Sequence, residues 1–186
     1  VIGWSLVWAV PMLPFRAVGA LDPDVAFALG LVIGLLAVAA TTVAVAAIGL
    51  LATGRRAVGL AAAALWALWP FLPALVVGER AWENGQWSVD VGLHLYTEPL
   101  STALVACAVA LLLVDRASTS VSGAAGFLLG FATLVKLSNG LISAALLPVI
   151  LLHRGRQHAV SYTVVALFSL PMFPSDCPEG HVTHIS

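Results

Sequence analysis

Long apolar runs separated by short polar links make up most of this chain. Residues 1–15, VIGWSLVWAVPMLPF, are apolar, but too short and too rich in proline to cross a hydrocarbon core about 30 Å thick. Trp4, Trp8, Pro11 and Pro14 suit a segment lying at the interface, where indole rings prefer to sit. Arg16, Asp22 and Asp24 form a polar link. No charge then interrupts the chain from about Val25 to Leu51, and Gly54-Arg55-Arg56 closes the run. A second run covers 57–77, with Trp66, Trp69, Pro70 and Pro73 in its later half. The stretch 78–96, GERAWENGQWSVDVGLHLY, is polar, and Trp82 and Trp87 read as interface anchors.

A third run, 99–114, ends at Asp115-Arg116 and a Ser/Thr-rich link to Ser122. The next, 123–152, is broken near its middle by Lys136-Leu137-Ser138-Asn139-Gly140. A basic cluster of His153, Arg154, Arg156 and His158 follows, then a last apolar run and the polar tail PSDCPEGHVTHIS. The pattern predicts an all-α, polytopic bundle of about five or six membrane helices. The expected spans are about 25–51, 57–77, 99–114, 123–135, 140–152 and 159–173, with one short pair broken at Lys136. Residues 1–24 form an interfacial segment, 25–173 the bundle and 174–186 a polar tail.

Orientation follows from the basic links, which favour the cytoplasmic side. With Arg55-Arg56 inside, the loop 78–98 is extracytoplasmic and Asp115-Arg116 is inside again. The 153–158 cluster belongs inside too, which requires an even number of crossings between Gly123 and Leu152. A hairpin turning at Lys136 satisfies that parity and brings Lys136 near the outer face, close to Glu98. Each half would be about 12 residues and reach only about 18 Å, so the pair dips in or meets a thin bilayer. One long kinked helix fits the residue count as well.

Composition supports the membrane reading. The chain is 61% hydrophobic and 9% charged, far from the roughly 25% charge of soluble domains. Mean hydropathy is +1.03. A net charge of −1 carries no message about nucleic acid, and with basic patches absent no such partner is expected. Arg outnumbers Lys seven to one, a bias in keeping with a GC-rich bacterial genome. Cys107 and Cys177 are the two cysteines, with no CxxC pair to suggest zinc or a disulfide framework.

Two charges are candidates for chemistry. Glu98, in Thr97-Glu98-Pro99-Leu100-Ser101, lies where an acidic loop meets an apolar helix, and acids near hydrocarbon are costly and usually functional. Pro99 suits the first position of that helix, so Glu98 is either an acidic cap favoured by the helix dipole or a group lining an outward chamber. In the second case His94 and Tyr96 are supporting residues, and a divalent metal held with Glu98 is one expectation. Lys136, the sole lysine, is either snorkelling toward headgroups or a point charge for a lipid phosphate. Ser138-Asn139-Gly140 beside it suits a break that faces a cavity, which makes Asn139 a further supporting residue. Glu79, Arg80, Glu83 and Asp90 read as a solvated loop, and His181 and His184 as tail residues. Gly30/Gly34 and Gly126/Gly130 allow close helix packing. No GxSxG, HExxH or phosphate-binding loop occurs.

The order GLLATGRRAVGLAAAALWALWPFLPAL, polar loop, TEPL, helix, GAAGFLLGFATLVKLSNGLI resembles the integral-membrane C-type glycosyltransferases. Within them it is most similar to the superfamily of protein O-mannosyltransferases and lipid A aminoarabinose transferases, over roughly residues 10–155. The resemblance implies an enzyme of the cell membrane that takes a sugar from a polyprenyl-phosphate donor. It passes that sugar to a protein, lipid or glycan acceptor on the outer face. It also implies that Glu98 belongs to the active-site chamber and that Lys136 lies near the donor phosphate. Such enzymes carry the catalytic acid in a first outer loop after a first membrane helix. Asp22 and Asp24 come too late for that role, so the expected acid lies upstream of residue 1 and the chain reads as a fragment. The rival readings are a non-enzymatic multi-pass membrane protein, a permease segment or scaffold, and a truncated product without function.

Overall fold

A computed structural model describes residues 2–19, 22–71, 97–114 and 118–169. Among them the fold is all-α: α1 (Ile2–Ala17), α2 (Pro23–Thr53), α3 (Arg56–Leu68), a short 3₁₀ turn (Trp69–Phe71), α4 (Thr97–Leu113), α5 (Thr119–Val135), α6 (Asn139–Arg154) and α7 (Arg156–Phe168). No strand occurs among the described residues. The proline-rich start is itself helical, with Pro11 and Pro14 inside α1.

α2 shows why its boundaries fall where they do. Asp22 is extended and its carboxylate accepts a hydrogen bond from the Val25 amide at 2.8 Å, which satisfies one of the unpaired first-turn donors. Pro23 then takes the first helical position, where a missing N–H costs nothing. Gly54 ends the helix in the left-handed region, its amide bonded to the Leu50 carbonyl at 2.7 Å. The 31 residues extend about 46 Å at 1.5 Å per residue. Among the described residues α2 is the one helix long and apolar enough to cross a membrane. Most of its surface is uncovered: Leu36 is 64% exposed and Val43 70%. A narrow stripe of Gly30, Gly34, Ala37, Thr41 and Ala44 is buried.

The remaining helices are short. α4 and α5 have 17 residues each, α6 has 16 and α7 has 13, so they extend between about 20 and 26 Å. Among the described residues the fold is thus all-α with one helix of full spanning length, and parts of the expected spans 57–77 and 159–173 lie outside them. The break at Lys136 is present, with an extended Lys136 between α5 and α6. Both flanking helices are nevertheless longer than the 12 residues expected. Most of the Ser/Thr-rich link to Ser122 belongs to α5, which starts at Thr119 and is tied to α7 there. The Ser122 hydroxyl bonds the His158 ring at 2.8 Å, and Ser161 donates to the Thr119 carbonyl at 2.9 Å.

Two packing relations set the frame. α2 folds back on α3 and also packs along α4, while α5 packs chiefly on α7 and α4. Gly123 faces Ser161 and Val165, Gly126 faces Tyr162, and Gly130 faces Ala166 and Ser169. Contact positions that advance together along both chains make α5 and α7 parallel, with α6 returning between them in sequence. Glycine is required at the α5–α7 seam. A Cβ on Gly130 would lie 2.6 Å from the Ala166 carbonyl oxygen, and one on Gly126 would strike that of Tyr162. The core around this seam joins Ala108, Ala125, Leu129, Ile150, Ala159 and Tyr162.

Candidate functional site

α4 and α6 both run opposite to α5, so chemistry gathers at two ends of the bundle. One end holds the start of α4, the end of α5 and the start of α6. There the Lys136 Nζ lies 3.1 Å from the Glu98 Oε1, a charge-assisted contact between residues 38 apart in sequence. The side chains are about half exposed, 43% for Lys136 and 46% for Glu98. α4 begins at Thr97, two residues earlier than Pro99 suggested, so Glu98 stands inside the first turn.

Beneath this pair the polar groups are buried. Asn139 is 6% exposed and Ser101 5%. The Asn139 Nδ2 donates to the Ser101 Oγ at 2.8 Å and to the Ala132 carbonyl at 3.0 Å. The Ala132 carbonyl also receives the Lys136 amide at 2.8 Å. One amide side chain thus ties α4, α5 and α6 together directly under the ion pair. Ser101 was missed as a candidate, although it stands three residues beyond Glu98 just as Asn139 stands three beyond Lys136. On α4 that spacing puts Ser101 on the face of Glu98, whereas Lys136 is extended and meets Asn139 through the turn into α6.

The opposite end is built differently. The Arg154 Nη2 donates to the carbonyls of Leu112 at 2.5 Å and Val114 at 2.7 Å. These are among the last carbonyls of α4, which lack partners within their own helix, and a cation is favoured there by the helix dipole. Midway between the ends, the Tyr162 hydroxyl donates to the Ser143 carbonyl at 3.0 Å and meets the Ser143 hydroxyl at 2.9 Å. A cavity of about 210 Å³ lies alongside, lined by Gly130, Thr133, Gly140, Ser143, Leu147 and Tyr162 among others.

Of the residues expected at the site, Glu98, Lys136 and Asn139 come together. His94 and Tyr96 lie outside the described residues, as do the rest of the polar loop, Asp115-Arg116 and the tail histidines. Asp22 is accounted for as the cap of α2. Among the described residues no three His, Cys, Asp or Glu side chains meet. The described donors at the Glu98 end are a carboxylate already facing an ammonium, an amide and a hydroxyl. Among the described residues that set offers a divalent cation a single carboxylate. No protein-family model, curated protein or solved structure matches this chain.

Proposed function

We propose that this chain is a multi-pass segment of the cell membrane that supplies the donor side of a glycosyltransferase. Its donor is a polyprenyl-phosphate-linked sugar, and its acceptor is a protein, lipid or glycan on the outer face. The observation that carries this reading is the Lys136–Glu98 contact at the break between α5 and α6. A half-exposed ion pair contributes at most about 1 kcal/mol to stability, so holding the bundle together is a poor account of the sole lysine. The uncovered apolar face of α2 supports a lipid surround, since water would make that surface costly.

On this reading the acceptor's nucleophile attacks the anomeric carbon of the sugar. The bond from that carbon to the donor phosphate oxygen breaks, and the phosphate leaves with the bonding electrons. Lys136 steadies the negative charge that builds on the phosphate, and Glu98 fixes the direction of the ammonium. Removing the acceptor's proton is the task of a base that neither Asp22 nor Lys136 supplies. The extracytoplasmic assignment of loop 78–98 belongs to the same proposal.

The test is donor capture by the full chain in membranes, read by photocrosslinking to a polyprenyl-phosphate sugar. Lys136→Gln should weaken capture about tenfold, the size of one charge-assisted contact. The swap Glu98→Lys with Lys136→Glu preserves an ion pair but moves the cation. Capture restored by the swap would show that the pair is only a helix pin and would defeat the donor reading.

A further inference from the structure

α7 starts at Arg156, and two grooves run along the helix from that residue. One of about 460 Å³ includes Arg156, Val160, Val164 and Val165 in its wall. The other, of about 250 Å³, includes Arg156, Leu151, Val160 and Val164. They share Arg156, Val160 and Val164, a row at i, i+4 and i+8 that forms one ridge on a helix. The hydroxyls at the grooves are turned away: Ser161 donates to the Thr119 carbonyl and Thr163 to the Ala159 carbonyl. The surface is therefore apolar on both flanks of the ridge and cationic at its foot.

Gln157 lines the larger groove beside Arg156, and two other polar neighbours are held elsewhere. Arg154 is held on the α4 carbonyls and the His158 ring on Ser122. Among the described residues no carboxylate pairs with Arg156. From Arg156 to Val164 the ridge rises about 12 Å, within the roughly 15 Å half-thickness of a hydrocarbon core.

We propose that this face of α7 binds an anionic diacyl phospholipid, its phosphate on Arg156 and one acyl chain in each groove. Two apolar troughs converging on a single cation match the shape of a two-chain amphiphile with one negative headgroup. A peptide helix would need one continuous groove, and a free anion would have no use for either. The site rests on the membrane reading and is independent of glycosyl transfer.

The full chain in detergent is incubated with dioleoyl phosphatidylglycerol or dioleoyl phosphatidylcholine, and retained lipid is counted by native mass spectrometry. Phosphatidylglycerol should be retained in preference, with Arg156→Gln reducing that preference about fivefold, as expected for one basic residue at a lipid surface. Val160→Trp, which fills the ridge from an exposed position, should lower retention of both lipids. Unchanged preference in Arg156→Gln overturns the proposal. So does equal retention of single-chain lysophosphatidylglycerol, or displacement of the lipid by equimolar inorganic phosphate. Vesicle co-sedimentation separates the two failures. A chain that does not sediment with vesicles removes the membrane reading itself, whereas sedimentation without headgroup preference removes only the lipid site.

Discussion

Asn139→Leu perturbs the group that joins three helices beneath the Lys136–Glu98 pair. Leucine keeps the volume but removes the two donors that reach Ser101 and Ala132. At about 1 kcal/mol for each hydrogen bond, the expected cost is about 2 kcal/mol. The two acceptors do not suffer equally. The Ala132 carbonyl keeps the Lys136 amide at 2.8 Å, whereas the buried Ser101 hydroxyl loses this partner. Ser101→Ala alone should cost about 1 kcal/mol, because one Nδ2 proton is then left unmet. Combined with Asn139→Leu it should cost much less, giving a coupling of about 1 kcal/mol between residues in contact. The assay is equilibrium unfolding of the four proteins in one detergent, compared at a single temperature. Additivity within about 0.3 kcal/mol, or an Asn139→Leu protein as stable as wild type, would refute the argument that this amide fastens α4, α5 and α6.

Three further outcomes are expected from the same unfolding measurement. Gly126→Val drives a side chain into the Tyr162 carbonyl, and overpacking of this kind should cost about 1–3 kcal/mol; native-like stability would mean α5 and α7 are not in close contact. Arg154→Met strips the donors from the Leu112 and Val114 carbonyls at a cost of about 1–3 kcal/mol. Arg154→Lys should recover only part of that, since an ammonium lacks the guanidinium fork, and full recovery would contradict the geometry. Tyr162→Phe, at a side chain 2% exposed, removes the donor to Ser143 and should cost about 1 kcal/mol; a change near zero would remove this bond from the account of α6–α7 packing.

Much of this architecture can be read along the chain, and the reason differs between its parts. The bounds of α2 are local facts: Asp22, Pro23 and Gly54 act on backbone groups within four residues of themselves. The turn at Lys136 is legible for a similar reason, since a charge followed by Ser138-Asn139-Gly140 interrupts an apolar run. The approach of Lys136 to Glu98 is the one expected of a hairpin at Lys136, the preferred reading beside one long kinked helix. Helix lengths were less legible. The Ser/Thr run up to Ser122 has the composition of a link, and its contacts with α7, Ser122 to the His158 ring and the Ser161 hydroxyl to the Thr119 carbonyl, come only with the tertiary structure.

Other roles depend on how far each helix is rotated about its axis, which composition does not encode. Arg154 and Arg156 are equivalent members of one basic cluster in the sequence. Folding spends Arg154 on the carbonyls of α4 and leaves Arg156 at the foot of two grooves on α7. Asn139 and Ser101 carry no charge to mark them, yet they become the buried tie under the ion pair once α4 and α6 lie side by side. The sequence by itself determined that the chain is helical, apolar and broken at Lys136, because those properties act over a few residues. Which polar groups meet was decided by the tertiary structure, through the glycine seam that fixes α5 against α7 and hence the facing of every helix around it.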